Sequence, residues 1–264
     1  MAKKYKLFQV DAFTDKLFSG NPAAVCPLDE WPDDDLLQNI AMENNLAETA
    51  FYVPKDDGYE IRWFTPLVEV DLCGHATLAA AYILFYHENH PDTPIRFYSS
   101  RNGVLTVTKT TNGLQLDFPA DDFHAVPVTE EITGCFDRRP FEAYKGKTDY
   151  MLVFDTEEDI VRIDPRFEAI ARLDARGVII TAKGDKVDFV SRFFAPQSGI
   201  AEDPVTGSAH TTLTPYWSEK LGRSELSAMQ LSRRGGSLHC TLAGKRVKIS
   251  GQARLYLIGD ILIG

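Results

Sequence analysis

The amino-acid sequence predicts an α+β chain made of two similar halves, and three observations carry that reading. The first is an internal repeat. Arg62-Trp63-Phe64-Thr65-Pro66 returns as Arg192-Phe193-Phe194-Ala195-Pro196, 130 positions later. Glu69, Gly74 and Ala76 then return as Glu202, Gly207 and Ala209, and Gly103-x-Leu105 as Gly236-x-Leu238, all 133 positions later. Self-similarity at a fixed offset marks a duplicated structural unit. Shared strand composition of two β-rich segments is the competing explanation. The second observation is the alternation of strand-like and helix-like segments along the chain. The third is length: 264 residues suit one large domain or two small ones, and the repeat selects two. The expected halves are residues 1–120 and 121–264, joined through the charged, Pro-bearing segment Pro119–Pro140.

Tyr5–Phe13 and Pro22–Pro27 read as strands. Asp33–Asn44 reads as a helix: it follows Pro32, places Leu36, Leu37, Ile40 and Ala41 at helical spacing, and is acidic in its first turn. Thr49–Val53 and Tyr59–Phe64 read as strands. Gly74–His87 is so rich in small and apolar residues that it predicts a buried helix. Ile95–Tyr98, Val104–Lys109 and Leu114–Phe118 follow as strands, with Asn112-Gly113 as a hairpin turn signal. Beyond the junction, Asp149–Phe154, Gly177–Thr181 and Lys186–Phe194 read as strands, and Asp164–Leu173 as a helix with Pro165 in its first turn. Ala209–Leu221 reads as a helix that Pro215 kinks or limits. Leu238–Leu242, Arg246–Ser250 and Leu255–Ile263 close the chain as strands. The last belongs either to the second half or crosses back to the first.

The repeated unit is a strand, Phe-[Thr/Ala]-Pro, an acidic loop, and a Gly that opens a helix. Two such units facing each other would set both helix N-termini, with their free N–H groups, on one cleft suited to an anion. The chain itself is acidic, with 28 Lys+Arg against 38 Asp+Glu and a net charge of −10. That balance argues against nucleic acid and anionic membrane as partners, yet leaves room for a small anion held locally. Met1 to Phe8 has lysines without an apolar core, which predicts no secretory signal. The longest apolar stretch, Ala76 to Tyr86, is too short to span a bilayer. Four scattered cysteines without a CxxC pair fit a reducing cytoplasm and argue against a disulfide framework or structural zinc.

Four motifs carry chemistry: Gly20-Asn21-Pro22-Ala23-Ala24-Val25, Asn45-Leu46-Ala47-Glu48-Thr49-Ala50-Phe51, Leu72-Cys73-Gly74-His75-Ala76-Thr77, and Glu202-Asp203-Pro204-Val205-Thr206-Gly207-Ser208-Ala209. In this order they resemble the PhzF-like family, named for phenazine biosynthesis and related in fold to diaminopimelate epimerase. The resemblance implies two pseudo-symmetric halves, each a β-sheet wrapped around a central helix, with an active site between them. It also implies a cofactor-independent, metal-free isomerase, often a homodimer, acting on a small anionic, amino-acid-like or cyclic unsaturated acid.

On its own, Glu48 in an apolar run is a candidate for burial, which would raise its pKa towards a range useful for proton transfer. The resemblance makes it the general acid/base. A lone His in an apolar stretch is more often a packing residue; the resemblance places His75 in the active site, hydrogen-bonding substrate or shuttling protons. Asp203 and Ser208 are natural helix-capping types. The resemblance puts both in the substrate site, with Asp203 on an amino or hydroxyl group and Gly74, Gly207 and Ser208 on a carboxylate.

Cys73 stands where diaminopimelate epimerase has one of its two thiols. No cysteine matches it near Asp203–Val205, so a buried structural role is expected for Cys73. Three other patterns are weaker. Ser208, His210 and Asp203 lack the G-x-S-x-G elbow of a hydrolase. His87-x-x-His90 reads as a polar helix end, and no G-x-G-x-x-G or Walker A motif points to a nucleotide. An amino-acid epimerase or racemase on the same fold, and a non-catalytic small-molecule-binding protein, remain the competing functions.

Overall fold

A computed structural model describes residues 3–91, 93–100 and 103–264. Residues 1 and 2, at the start of the expected first half and of the Met1 to Phe8 segment, lie outside the described residues. The chain divides into two compact units: Met1–Asp117 with Ser250–Gly264, and Phe118–Ile249.

The first unit contains β1 (Lys3–Ala12), β2 (Asn21–Pro27), α1 (Asp34–Asn44), β3 (Glu48–Lys55), β4 (Gly58–Phe64), β5 (Glu69–Val70), α2 (Gly74–Tyr86), β6 (Ile95–Ser99), β7 (Gly103–Thr110) and most of β8 (Gly113–Pro119). The second contains β9 (His124–Val126), α3 (Glu130–Thr133), β10 (Glu142–Lys145), β11 (Asp149–Val153), α4 (Glu157–Arg162), α5 (Phe167–Ile170), β12 (Gly177–Lys183), β13 (Phe189–Phe194), α6 (His210–Leu221), β14 (Glu225–Gln230), β15 (Gly236–Ala243) and most of β16 (Arg246–Gly251). The last strand, β17 (Ala253–Ile263), returns to the first unit and pairs antiparallel with β1 along its whole length.

The units repeat one topology. In the first, β1 and β2 are antiparallel, β2 and β3 parallel, β3 and β4 antiparallel, β4 and β6 parallel, and β6 and β7 antiparallel. In the second, β10–β11, β11–β12, β12–β13, β13–β14 and β14–β15 follow the same sequence of senses. A parallel pair needs a crossover connection; α1 and α2 supply them in the first unit, α4–α5 and α6 in the second.

Helix α2 is apolar on every face and almost wholly buried against β1, β2 and β3, as expected of a helix without a polar stripe. Its run Ala79-Ala80-Ala81 is fully buried, and such small side chains let strands approach closely. On β3 the side chains alternate: Phe51 and Val53 pack with Leu37 and Ile40 of α1 in a separate core cluster, following the two-residue period of a strand. In the second unit, Ile160 of α4 and Ile170 of α5 pack on Val178 and Ile180 of β12, while α6 lies against β14 and β15.

The repeat is also visible in side chains. Arg62 donates to Glu69 from Nε and Nη2, both at 2.8 Å, and lies over the Phe64 ring. Arg192 donates to Glu202 at 2.7 and 3.2 Å and lies over Phe194.

Two local expectations need correction. The helix expected over Asp164–Leu173 shrinks to the single turn of α5, because Pro165 is drawn into a β-bridge with Phe136. The longer helix there is α4, set by a Thr156/Asp159 capping box. Helix α6 runs to Leu221 as expected, with Pro215 inside it. The β7–β8 loop is Thr111-Asn112, with Gly113 pairing back to Thr110 at φ 103°.

Candidate active site

In the first unit the fold brings together residues from three motifs. Gly20 has φ 66°, and a Cβ there would overlap the Ala12 carbonyl oxygen. Only glycine suits that position, and it delivers the fully buried Asn21 to the start of β2. Asn45, at φ 49°, ends α1 in the left-handed region and turns the chain into β3, whose first residue is Glu48. Cys73 is the extended N-cap of α2, and His75 sits in its first turn.

The Glu48 Oε2 and His75 Nε2 atoms are 3.2 Å apart, with side chains only 12% and 6% exposed. The two atoms are in contact without being aligned as a hydrogen bond. Asn21 Nδ2 lies 3.2 Å from His75 Nδ1 and Cys73 Sγ lies 3.4 Å from the same nitrogen. An amide NH₂ only donates, so Nδ1 accepts and the ring proton sits on Nε2, facing Glu48. Burial pushes the His75 pKa down to about 3, because desolvation disfavours the imidazolium. The ring is therefore a neutral donor next to a carboxylate.

Glu48, Cys73 and His75 also place one ligand atom each within 4.8 Å of one another. The imidazole nevertheless stands between its neighbours, with Nε2 turned to Glu48 and Nδ1 to Cys73.

In the second unit, Gly207, Ser208 and Ala209 form a turn ahead of α6, which starts at His210. Asp203 is held in a closed polar loop. Thr206 Oγ1 donates to Asp203 Oδ2 at 2.5 Å, and Gln230 Nε2 donates to the Asp203 carbonyl at 2.8 Å. Gln230 Oε1 in turn accepts from the Thr206 N–H at 2.8 Å. Ser208 Oγ accepts from Arg176 Nη2 at 3.0 Å, and Arg176 is itself bound to Asp149.

The Ser208/His210/Asp203 hydrolase pattern does not assemble. His210 is fully buried, its Nδ1 faces the Thr206 carbonyl at 2.8 Å, and burial lowers its pKa to about 4. His87 ends α2 in an exposed position. A surface cavity of the first unit, about 400 Å³ and lined by Lys6, Tyr52, Tyr59 and Glu88 among others, contains none of the expected site residues. Asn21, Arg176, Asp149 and Gln230 gave no role from sequence. Asn21 stood inside a recognised motif; the other three act on partners 24 to 32 positions away, beyond any local pattern.

No helix among the described residues is long and apolar enough to cross a membrane. Residues 10–259 match the family model of phenazine biosynthesis-like proteins, PhzC-PhzF. An uncharacterized isomerase of Pseudomonas aeruginosa is 49% identical over 255 residues, covering 97% of this chain and 98% of the relative. The crystal structure of a PhzF-family phenazine biosynthesis protein of Enterococcus faecalis superposes with a TM-score of 0.95 at 46% identity, covering 98% of this chain and 99% of that one. A hydroxyproline epimerase of Agrobacterium vitis shares the fold at a TM-score of 0.64 and 12% identity, over 98% and 92% of the two chains. Two α/β units of one topology, each built on a buried helix, and a match along nearly the whole sequence make this chain a member of the phenazine biosynthesis-like, PhzC-PhzF family, whose relatives carry isomerase names.

Proposed function

We propose that the protein is a cofactor-independent isomerase that moves a proton between carbons of a small anionic, amino-acid-like or cyclic unsaturated acid. The observation that carries this reading is the Glu48–His75 contact. A half-buried carboxylate lies 3.2 Å from an imidazole kept neutral by burial, and that ring's other nitrogen is engaged by Asn21. Glu48 takes a proton from one carbon and returns it at another carbon of the conjugated system, acting as general base and then general acid. The Nε2–H of His75 steadies the carboxylate between the two steps. Asp203, fixed by Thr206 and Gln230, receives the amino or hydroxyl group. Gly74, Gly207 and Ser208 receive the carboxylate through N–H groups and the Ser208 hydroxyl. The proton inventory closes on the protein's own groups, so the reaction needs no redox partner. A homodimer and a cytoplasmic setting belong to the same reading.

An epimerase acting on an amino acid is the second reading, favoured by Cys73 Sγ at 3.4 Å from His75. Against it, Thr206 rather than a cysteine holds the matching place in the second unit.

The test is carbon-bound hydrogen exchange in D₂O with a panel of amino and cyclic carboxylic acids, followed by NMR. Wild type should exchange at least one acid, and Glu48→Gln should slow it by about 10³-fold, within the usual contribution of an acid/base group. Binding without exchange on any acid would leave a binding protein; exchange that survives Glu48→Gln would remove Glu48 as the base.

A further inference from the structure

Arg176 is a cation bound directly to Ser208, a residue expected to hold substrate. Its Nε donates to Asp149 Oδ1 at 3.0 Å and its Nη2 to Asp149 Oδ2 at 2.5 Å, a bidentate pair with a carboxylate that is 5% exposed. Its backbone N–H donates to the Thr148 carbonyl at 2.7 Å, and the guanidinium lies over the Phe193 ring at 5.3 Å. Both ends of the side chain are therefore fixed before any ligand arrives.

The remaining donors face outward. Nη2 also reaches Ser208 Oγ at 3.0 Å. Because that oxygen accepts, the Ser208 proton is left to donate. Nη1 carries two N–H groups, and the N–H groups of Gly207, Ser208 and Ala209 follow in the adjoining turn; none of these donates to a protein group among the described residues. Arg176 also feels the carboxylates of Asp203 and Asp121, so the positive charge stands beside acidic groups that suit an ammonium or hydroxyl.

We propose that Arg176, preset by Asp149, is the residue that reads the substrate's carboxylate at the Gly207–Ser208 turn. The substrate class becomes a small acid whose carboxylate neighbours an amino or hydroxyl group. This rests on the reading above only in taking Ser208 as substrate-binding. The Nη1 donors offer charge-assisted hydrogen bonds to a carboxylate, and the anchoring of the guanidinium by Asp149 lowers the ordering cost of binding. Asp149 is a positioning residue, acting through Arg176.

Acetate is the probe, because it carries only the group at issue, with acetamide as its uncharged counterpart. Amide resonances of Gly207, Ser208 and Ala209 are followed in ¹⁵N-labelled full-length protein at constant ionic strength. Wild type should show saturable shifts with acetate and much weaker ones with acetamide. Arg176→Gln should weaken acetate by about tenfold or more, the value of a charged hydrogen bond, and abolish the preference for acid over amide. Since Arg176→Gln strands the buried Asp149, Arg176→Lys is the folded control: it keeps a cation for Asp149 but loses the Nη1 donors, and should weaken acetate severalfold. Asp149→Asn should reduce the acid-over-amide preference, which a merely structural role would not move.

No saturable acetate shift in wild type, or equal shifts in Arg176→Gln and Arg176→Lys, overturns the assignment even if deuterium exchange is normal. Acetate binding through Arg176 without exchange on any acid would sustain the assignment and sink the isomerase reading.

Discussion

The entrances to α2 and α6 occupy the same place in the repeated unit and carry different chemistry. At the first, Cys73-Gly74-His75 meets Glu48 and Asn21: groups that accept, donate or pass a proton. At the second, Thr206-Gly207-Ser208 meets Arg176, Asp149, Asp203 and Gln230: a fixed cation and a hydrogen-bonded loop. Strand register makes the comparison residue by residue. Thr49 pairs with Phe64 in the first unit as Val178 pairs with Phe194 in the second, so Glu48 corresponds to Gly177 and Ala23 to Asp149. Where one unit carries the Glu48 carboxylate, the other has no side chain. On the proposed reading, the two units share a backbone and divide the work, proton transfer in one and anion recognition in the other.

The sharpest way to break this comparison is to give the second unit the first unit's carboxylate. A Cβ at Gly177 would overlap the Phe193 ring and press on the Phe194 carbonyl, so the position is closed by packing. Gly177→Glu should lose about 3 kcal/mol or more of stability through overpacking and an unpartnered buried acid, whereas Glu48→Gln should lose less than about 1 kcal/mol. Urea unfolding of both variants measures this. A Gly177→Glu protein as stable as wild type would show that the two positions differ by choice of residue and not by space.

The Arg–Glu clasps give the next effect. Arg62 uses its third group on Asp34, at 2.8 Å and largely in solvent. Arg192 instead donates from Nη1 to the carbonyls of Ile160 and Ile163, at 3.1 and 2.9 Å, at the C-terminal end of α4. Removing Arg192 strands backbone acceptors, and a stranded buried acceptor costs about 1–3 kcal/mol. Arg192→Ala should therefore lose about 2–3 kcal/mol and Arg62→Ala about 1 kcal/mol. Equal losses would mean that the clasp to Glu69 or Glu202, and not the second partner, sets the energy.

What sequence could and could not reveal follows the same division. The repeat, the buried run of α2 and the Glu48 and His75 motifs are local patterns, and each was legible. The α5 expectation failed because Pro165 answers to Phe136, a partner 29 positions away, whereas α6 forms over nearly its expected range with Pro215 inside it. Strands β10 and β14 gave no signal of their own; their neighbours in the sheet define them. Arg176 is the clearest loss. Nothing near it in sequence announces a binding residue, since Asp149 lies 27 positions back and Ser208 32 positions ahead.

The two buried histidines sharpen the comparison through pH. His75 and His210 are held at about 3 and about 4 by desolvation, below the unfolded value of about 6.5. The unfolded state therefore binds more protons between those limits, and stability rises with pH across them. It is fully present above about pH 6.5 and is lost as pH falls towards 4 and then 3. Each histidine should contribute a loss on the order of 1–2 kcal/mol between about pH 6.5 and pH 5, before the carboxylates titrate. His210→Gln should flatten the unfolding free energy against pH by that amount, and a wild-type curve flat over this window would contradict the neutral burial of both rings.

The smallest expected effect lies at Cys73, and it decides between the two mechanisms. Cys73 has the extended backbone of an N-cap, φ −139° and ψ 109°, without a side-chain cap. Serine is a good N-cap in that geometry, so Cys73→Ser should fold at least as well as wild type. It would also set a hydroxyl beside His75 Nδ1, much as Thr206 already sets one in the second unit, and so make the two entrances more alike. If Glu48 moves the proton, the exchange rate in D₂O should stay within about threefold of wild type, since the thiol then only packs and orients His75. If the thiol moves it, replacing the thiol by an alcohol, a far weaker acid, should cost at least about 10²-fold. A large loss in a stably folded Cys73→Ser protein would transfer the proton from Glu48 to Cys73 and make this chain an epimerase that works with one thiol.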